Sequence, residues 1–162
     1  MINKRCINNT AFISIIKTMF SWFKSKSTKK VGFEDVLYAI NNPTNFIIIN
    51  TLVPELQNCL IKGTLRYEIE EQTINDCLNH SSKLYPTLII YGKNSTDAMV
   101  DRKEKQLEEL GFEDVYVYSG GMFEWLLLQD TYGLSEFPTT SRAGDILKYR
   151  TPGALHRPRI AN

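Results

Sequence analysis

The chain has 162 residues, 43% of them apolar and 23% charged, enough to bury one real core and arguing for one domain rather than two. That composition excludes disordered, collagen-like and disulfide-dense classes. Cys6, Cys59 and Cys77 form no CxxC pair and His80 and His156 stand far apart. Neither a zinc site nor a disulfide framework is predicted, no metal or cofactor is assigned, and a reducing, cytoplasmic setting is expected.

The net charge of +1 hides a segregation along the chain. Residues 1–30 carry seven basic and no acidic side chains, residues 31–138 seven basic against seventeen acidic, and residues 139–162 five basic against one acidic. Three parts are predicted: a basic N-terminal segment (1–30), an acidic folded domain (31–138) and a basic C-terminal tail (139–162). Nucleic acid is not expected to bind the folded body, because phosphate neutralisation needs a basic face.

In chain order, residues 12–25 read FISIIKTMFSWFKS. At 100° per residue the Phe, Ile, Met and Trp side chains fall on one half of the wheel, with Lys17, Lys24, serines and Thr18 on the other. This predicts an amphipathic helix too short to span a bilayer. It is compatible with contact at a membrane surface, a targeting segment, or docking on this domain or a partner. Met19 opens a stretch that would itself make a plausible start, so residues 1–18 can be read as an upstream extension.

From Val31 the sequence alternates helix-like and strand-like segments. Phe33, Val36, Leu37 and Ile40 have helical spacing, ended by Asn41-Asn42-Pro43. Phe46 to Ile49 reads as a buried parallel strand. A turn from Pro54 to Asn58 and Gly63 precede a short strand at Leu65 to Tyr67. Glu70 to Asn79 is a helix presenting Ile74, Cys77 and Leu78, and Thr87 to Tyr91 a second buried strand. Asp97 to Leu110 is a charged helix with the stripe Val100, Leu107 and Leu110, stopped by Gly111. Val115 to Tyr118 is a strand, and Gly120-Gly121 leads into a helix over Met122 to Leu128. The class is α/β, a mostly parallel sheet of about five strands with helices on both faces. Ligand sites in such sheets lie beyond the carboxyl ends of the strands, which places them in NTLVPE, GKNSTD and SGG. In the tail, Thr139 to Ser141 can cap one helical turn with Ile146 and Leu147, and residues beyond Arg150 read as unstructured.

The order IIIN, PEL, LIKGTL, TLIIYG and LGFEDVYVYSGGMFEW resembles the rhodanese-like domain across about residues 31–132. The most specific part is Leu110, Gly111, Phe112, Val115, Gly120, Gly121 and Trp125. The chain is also similar to rhodanese-like reading frames of large DNA viruses. The resemblance implies a catalytic Cys directly after the TLIIY strand, where a loop of backbone amides and a helix N-terminus would activate it as a thiolate. Here that position is Gly92. The resemblance also places Asn50 where the family has an acid and Leu52 where it commonly has an Arg. A scaffold without sulfur-transfer chemistry is expected.

Other groups near that loop have two readings each. Ser95 or Thr96 could act as a hydroxyl nucleophile with Asp97 as base, or any of the three could cap the next helix. Cys59 could replace the lost thiol, or be a buried small hydrophobe like Cys77. Gly92, Lys93, Asn94, Ser95, Thr96 and Asp97 could form an anion-binding nest, with Asn50, Gly120 and Gly121 adjacent, or a solvated turn. Trp125, Phe123, Tyr116 and Tyr118 read as core. The expected function is a catalytically inactive rhodanese-like module that binds another protein. The alternative is a sulfurtransferase or phosphatase-like enzyme with a relocated nucleophile such as Cys59.

Overall fold

The computed structural model describes residues 28–79 and 86–153. The helix expected at 12–25, together with Cys6, His80 and His156, lies outside the described residues.

Four strands, β1 (Lys30–Val31), β2 (Phe46–Asn50), β3 (Thr87–Tyr91) and β4 (Val115–Tyr118), form one parallel sheet in the order β1-β4-β3-β2. Side-chain alternation along each strand feeds two cores. Ile48, Ile89, Tyr91 and Tyr118 face one way, onto Val36 and Ala39 of α1 (Phe33–Asn41) and Met122, Trp125 and Leu126 of α4 (Gly121–Tyr132). Ile49, Leu88, Ile90, Val115 and Val117 face the other, onto Ile74 of α2 (Tyr67–Asn79) and Val100 and Leu107 of α3 (Ala98–Glu109). Burial on both faces is why these strands read as continuous apolar runs.

The α/β class with helices on both faces stands, and the strand count is corrected to four among the described residues. The strand expected at Leu65 to Tyr67 is a single parallel bridge between Thr64 and Ile48, with Leu65 N–H donating to the Ile48 carbonyl at 2.7 Å. No ladder follows because α2 starts at Tyr67, where Glu68 and Glu70 in its first turn complement the positive helix end. The stripe expected on α3 is also revised. Leu110 is 44% exposed and Phe112, beyond the Gly111 turn, is buried in its place.

Neither end of the acidic domain coincides with the change in charge. Before Val31, Lys30 already pairs with Val117, Lys29 holds Asp114 at 3.0 Å, and Thr28 donates to Glu104 at 3.1 Å. After residue 138 the chain continues to pack on the body. Thr139 bridges Ile61 antiparallel, Thr140 N–H donates to the Leu60 carbonyl at 2.8 Å, and Tyr149, at the end of a 3-10 turn (Ile146–Tyr149), is buried in the core. Asp145 caps that turn, accepting from Leu147 N–H at 2.9 Å, rather than any of residues 139–141. Among the described residues, no helix is long and apolar enough to cross a membrane.

Candidate functional site

The carboxyl ends of β2 and β3 open onto a groove of about 570 Å³ between the segment after β2 and the loop before α3. This is where parallel α/β sheets place ligands, because successive crossovers leave a crevice beyond the strand ends. Lys93, Asn94, Thr96 and Asp97 line it together with Thr51 and Leu52. Gly92 lies buried behind them, Ser95 points to solvent, and Asn50 and Gly120 are not part of the wall.

The loop is built inward on its own side chains. Asp97 is the N-cap of α3. One of its carboxylate oxygens accepts from Met99 N–H at 3.0 Å and the other from Lys93 N–H at 2.8 Å. Asn94, 7% exposed, accepts through Oδ1 from both the N–H and the hydroxyl of Thr96, at 3.1 and 2.9 Å, and donates through Nδ2 to the Tyr149 carbonyl at 2.7 Å. The Asp97 carboxylate thus holds N–H groups that an external anion would otherwise meet.

The back of the loop is equally closed. Met122 N–H donates to the Gly92 carbonyl at 2.9 Å and Phe123 N–H to the Lys93 carbonyl at 3.0 Å, fixing the loop on the start of α4. Gly121 has φ 60°, and a Cβ there would stand 2.6 Å from the Gly92 oxygen. At Gly92 itself a Cβ would meet Asp97 Oδ2 at 2.5 Å and Val100 Cγ2 at 2.6 Å. The position that the family resemblance gives to a nucleophile is therefore packed against its own helix cap.

Asn50 serves the turn after β2. Its Oδ1 accepts from Leu52 N–H at 3.1 Å and from Gln57 Nε2 at 2.7 Å. Leu52, where the resemblance would place an Arg, is 7% exposed and belongs to the core.

Cys59 is 2% exposed and lies outside the groove wall. Its thiol donates to the Ser141 carbonyl at 3.1 Å. Burial pushes its pKa up, and the hydrogen bonds to Ser141 and Thr139 only partly oppose this, so the protonated form persists at neutral pH. Half-buried Cys77 is pushed the same way by burial and then by Asp76. A hydroxyl nucleophile meets a similar obstacle, since both oxygens of Asp97 accept N–H bonds and the Thr96 hydroxyl is held by Asn94 Oδ1. Trp125 is fully buried, edge-on to Tyr118 and Phe137, with Nε1–H donating to the Pro138 carbonyl at 3.3 Å. It is not a stacking platform.

Sequence reasoning put Asn94 in an anion-binding nest or a solvated turn, and did not connect it to Tyr149. No local pattern joins residues 55 positions apart. The buried Tyr91 hydroxyl was missed too. It accepts from Ile61 N–H at 3.2 Å and lies 3.0 Å from Thr64 Oγ1, pinning the segment after β2.

No family model matches the chain, and no curated protein does. Among solved structures, a Bacillus halodurans protein is 18% identical, covers 78% of this chain and 84% of its own, and superposes with a TM-score of 0.49. A Lactobacillus plantarum protein is 17% identical over 75% of this chain and 95% of its own, with a TM-score of 0.49. A Rhodopseudomonas palustris protein of unknown function, described as a possible tyrosine phosphatase, is 12% identical over 82% of this chain and 97% of its own, with a TM-score of 0.46.

Proposed function

We propose that this chain is a rhodanese-like module that has lost the sulfur-transfer site and works by binding another protein at the carboxyl ends of β2 and β3. The carrying observation is the packing at Gly92. A persulfide carrier needs a thiolate at the head of the loop, in a cradle of free amides. Here a Cβ would collide with the Asp97 carboxylate, and that same carboxylate accepts from the Lys93 amide of the loop. The loop has kept its place after β3 and before α3, while its interior is filled by Asp97 and Asn94. The acidic charge of residues 31–138 favours a protein over a nucleic acid as partner.

The test is turnover by the full-length protein, measured as thiocyanate from thiosulfate and cyanide and as release of p-nitrophenol from its phosphate ester. Both are expected at background. Activity in either assay that Cys59→Ala abolishes would overturn the reading and establish a relocated nucleophile.

A further inference from the structure

We infer that the amphipathic segment 12–25 docks on its own domain, with its apolar half in a second groove, of about 340 Å³, beside α1. This groove lies toward the other end of the sheet, and the inference stands apart from the binding reading above. The sheet face that carries Ile48, Ile89, Tyr91 and Tyr118 is covered unevenly. α4 packs through Trp125 on Tyr118, the last residue of β4, and α1 crosses the face from β1 at one edge to β2 at the other. Along the flank of α1, toward the strand starts, Val31, Phe46 and Tyr116 are only half-buried. Tyr38 beside them is 60% exposed and edge-on to Phe46 at 5.6 Å. With Ile89, these residues line the groove from all four strands. A parallel sheet is ordinarily covered on both faces, and this strip is open among the described residues.

Tether, size and charge select the chain's own segment as the occupant. Lys29 enters β1 with its carbonyl accepting from Val117 N–H at 2.8 Å and its ammonium 5.1 Å from the centre of the Tyr116 ring, so the chain arrives at the groove wall. Only residues 26 and 27 separate Ser25 from Thr28, a reach of at most about 11 Å. So short a tether gives the segment an effective concentration on the order of millimolar. Four strands span about 14 Å, and fourteen residues at helical rise span about 21 Å. One apolar helix half therefore covers the strip. Residues 1–27 carry five basic and no acidic side chains, and Lys17 and Lys24 fall on one border of the apolar half. Asp35 is the one charged side chain of the groove wall, and its carboxylate accepts from Gly32 N–H at 3.0 Å beside β1, the edge where the chain enters. Lys24, the nearer lysine to that edge, pairs with Asp35 while Phe20 and Phe23 meet Tyr38 and Tyr116.

The test is photo-crosslinking in the full-length protein, with p-benzoylphenylalanine in place of Tyr38 and, in a second protein, in place of Phe23. The first label is expected to join residues 12–25, and the second the peptides holding Tyr38, Phe46 or Tyr116, both at the mass of a monomer. The same label in place of exposed Tyr67, on the helix of the opposite face, is expected not to reach the segment. With the label at position 38, Phe20→Asp is expected to abolish the crosslink and Lys24→Glu to lower its yield at least about twofold. A monomeric crosslink from either label supports the proposal. Absence of both, or yields unmoved by both substitutions, would overturn it. Crosslinks only between two chains would make a second copy the occupant and overturn it as well. Cosedimentation with phosphatidylglycerol vesicles, together with no crosslink in their absence, would assign the segment to a membrane surface instead.

Discussion

At position 92 even a methyl group has no room, because its carbon would stand 2.5 Å from one Asp97 oxygen and 2.6 Å from a Val100 methyl. Gly92→Ala is therefore expected to cost about 1–3 kcal/mol through overpacking, read as a lower urea midpoint at unchanged slope. Asp97→Ser keeps a capping oxygen for Met99 N–H and shortens the side chain. In the double variant Gly92→Ala/Asp97→Ser the loss is expected to be smaller than the sum of the single losses. Strict additivity would mean that Asp97 is not what excludes a side chain. Placing Cys at position 92 alone is likewise expected to yield a strained protein without thiocyanate formation. Cys59 gives a second test at this scale. A buried thiol whose pKa is raised is expected to resist iodoacetamide in the native protein at pH 7.5 and to react on denaturation.

β3 and β4 each end in a tyrosine on the same face of the sheet, and the two hydroxyls differ in one respect. Tyr91 accepts from Ile61 N–H and contacts Thr64, whereas the buried Tyr118 hydroxyl makes no well-formed hydrogen bond among the described residues and interacts with the Glu124 carboxylate. Tyr91→Phe strands a buried N–H and is expected to cost about 1–3 kcal/mol. Tyr118→Phe strands no backbone group and removes the interaction with Glu124, and is expected to cost less than Tyr91→Phe. Equal losses by urea denaturation would contradict this assignment. The segment after Phe137 is also an element of the fold, since it contributes Tyr149 to the core and a carbonyl to Asn94. Tyr149→Ala is expected to cost about 3 kcal/mol. A chain ending at residue 138 is expected to lose the cooperative thermal transition of the full-length protein.

For the molecule as a whole, the buried acids that resist ionisation set the alkaline limit. Burial raises the pKa of Cys59, Tyr91 and Tyr118 in the folded state, and for Tyr118 the Glu124 carboxylate adds to it. A group raised in this way costs nothing below its ordinary value. Above that value the unfolded chain ionises first, and the stability is lost until the folded pKa is reached. Stability is therefore expected to fall from about pH 8.5, where an unperturbed Cys titrates, and more steeply above about pH 10, where unperturbed Tyr does. Urea midpoints that stay flat from pH 8 to 11 would contradict this.

The sequence by itself determined the class of the fold and singled out the loop after β3 as a candidate site. Runs such as LIIY and FIII are apolar or aromatic at every position, which strands covered on both faces require, and the helical spacing between them points to an α/β arrangement. The loop after β3 was legible as a candidate site because parallel strands end on one side of such a sheet, where the groove lies. The tertiary structure decided what fills that site. Asp97 can be read from sequence as a helix cap, but not as the acceptor for the Lys93 amide, and Asn94 cannot be read as the clamp on Tyr149. The number of strands, the place of Thr28 to Lys30 in the sheet and the packing of residues 139–150 were also hidden. Charge marks where a chain meets water, whereas each of these depends on hydrogen bonds between residues that no local period relates.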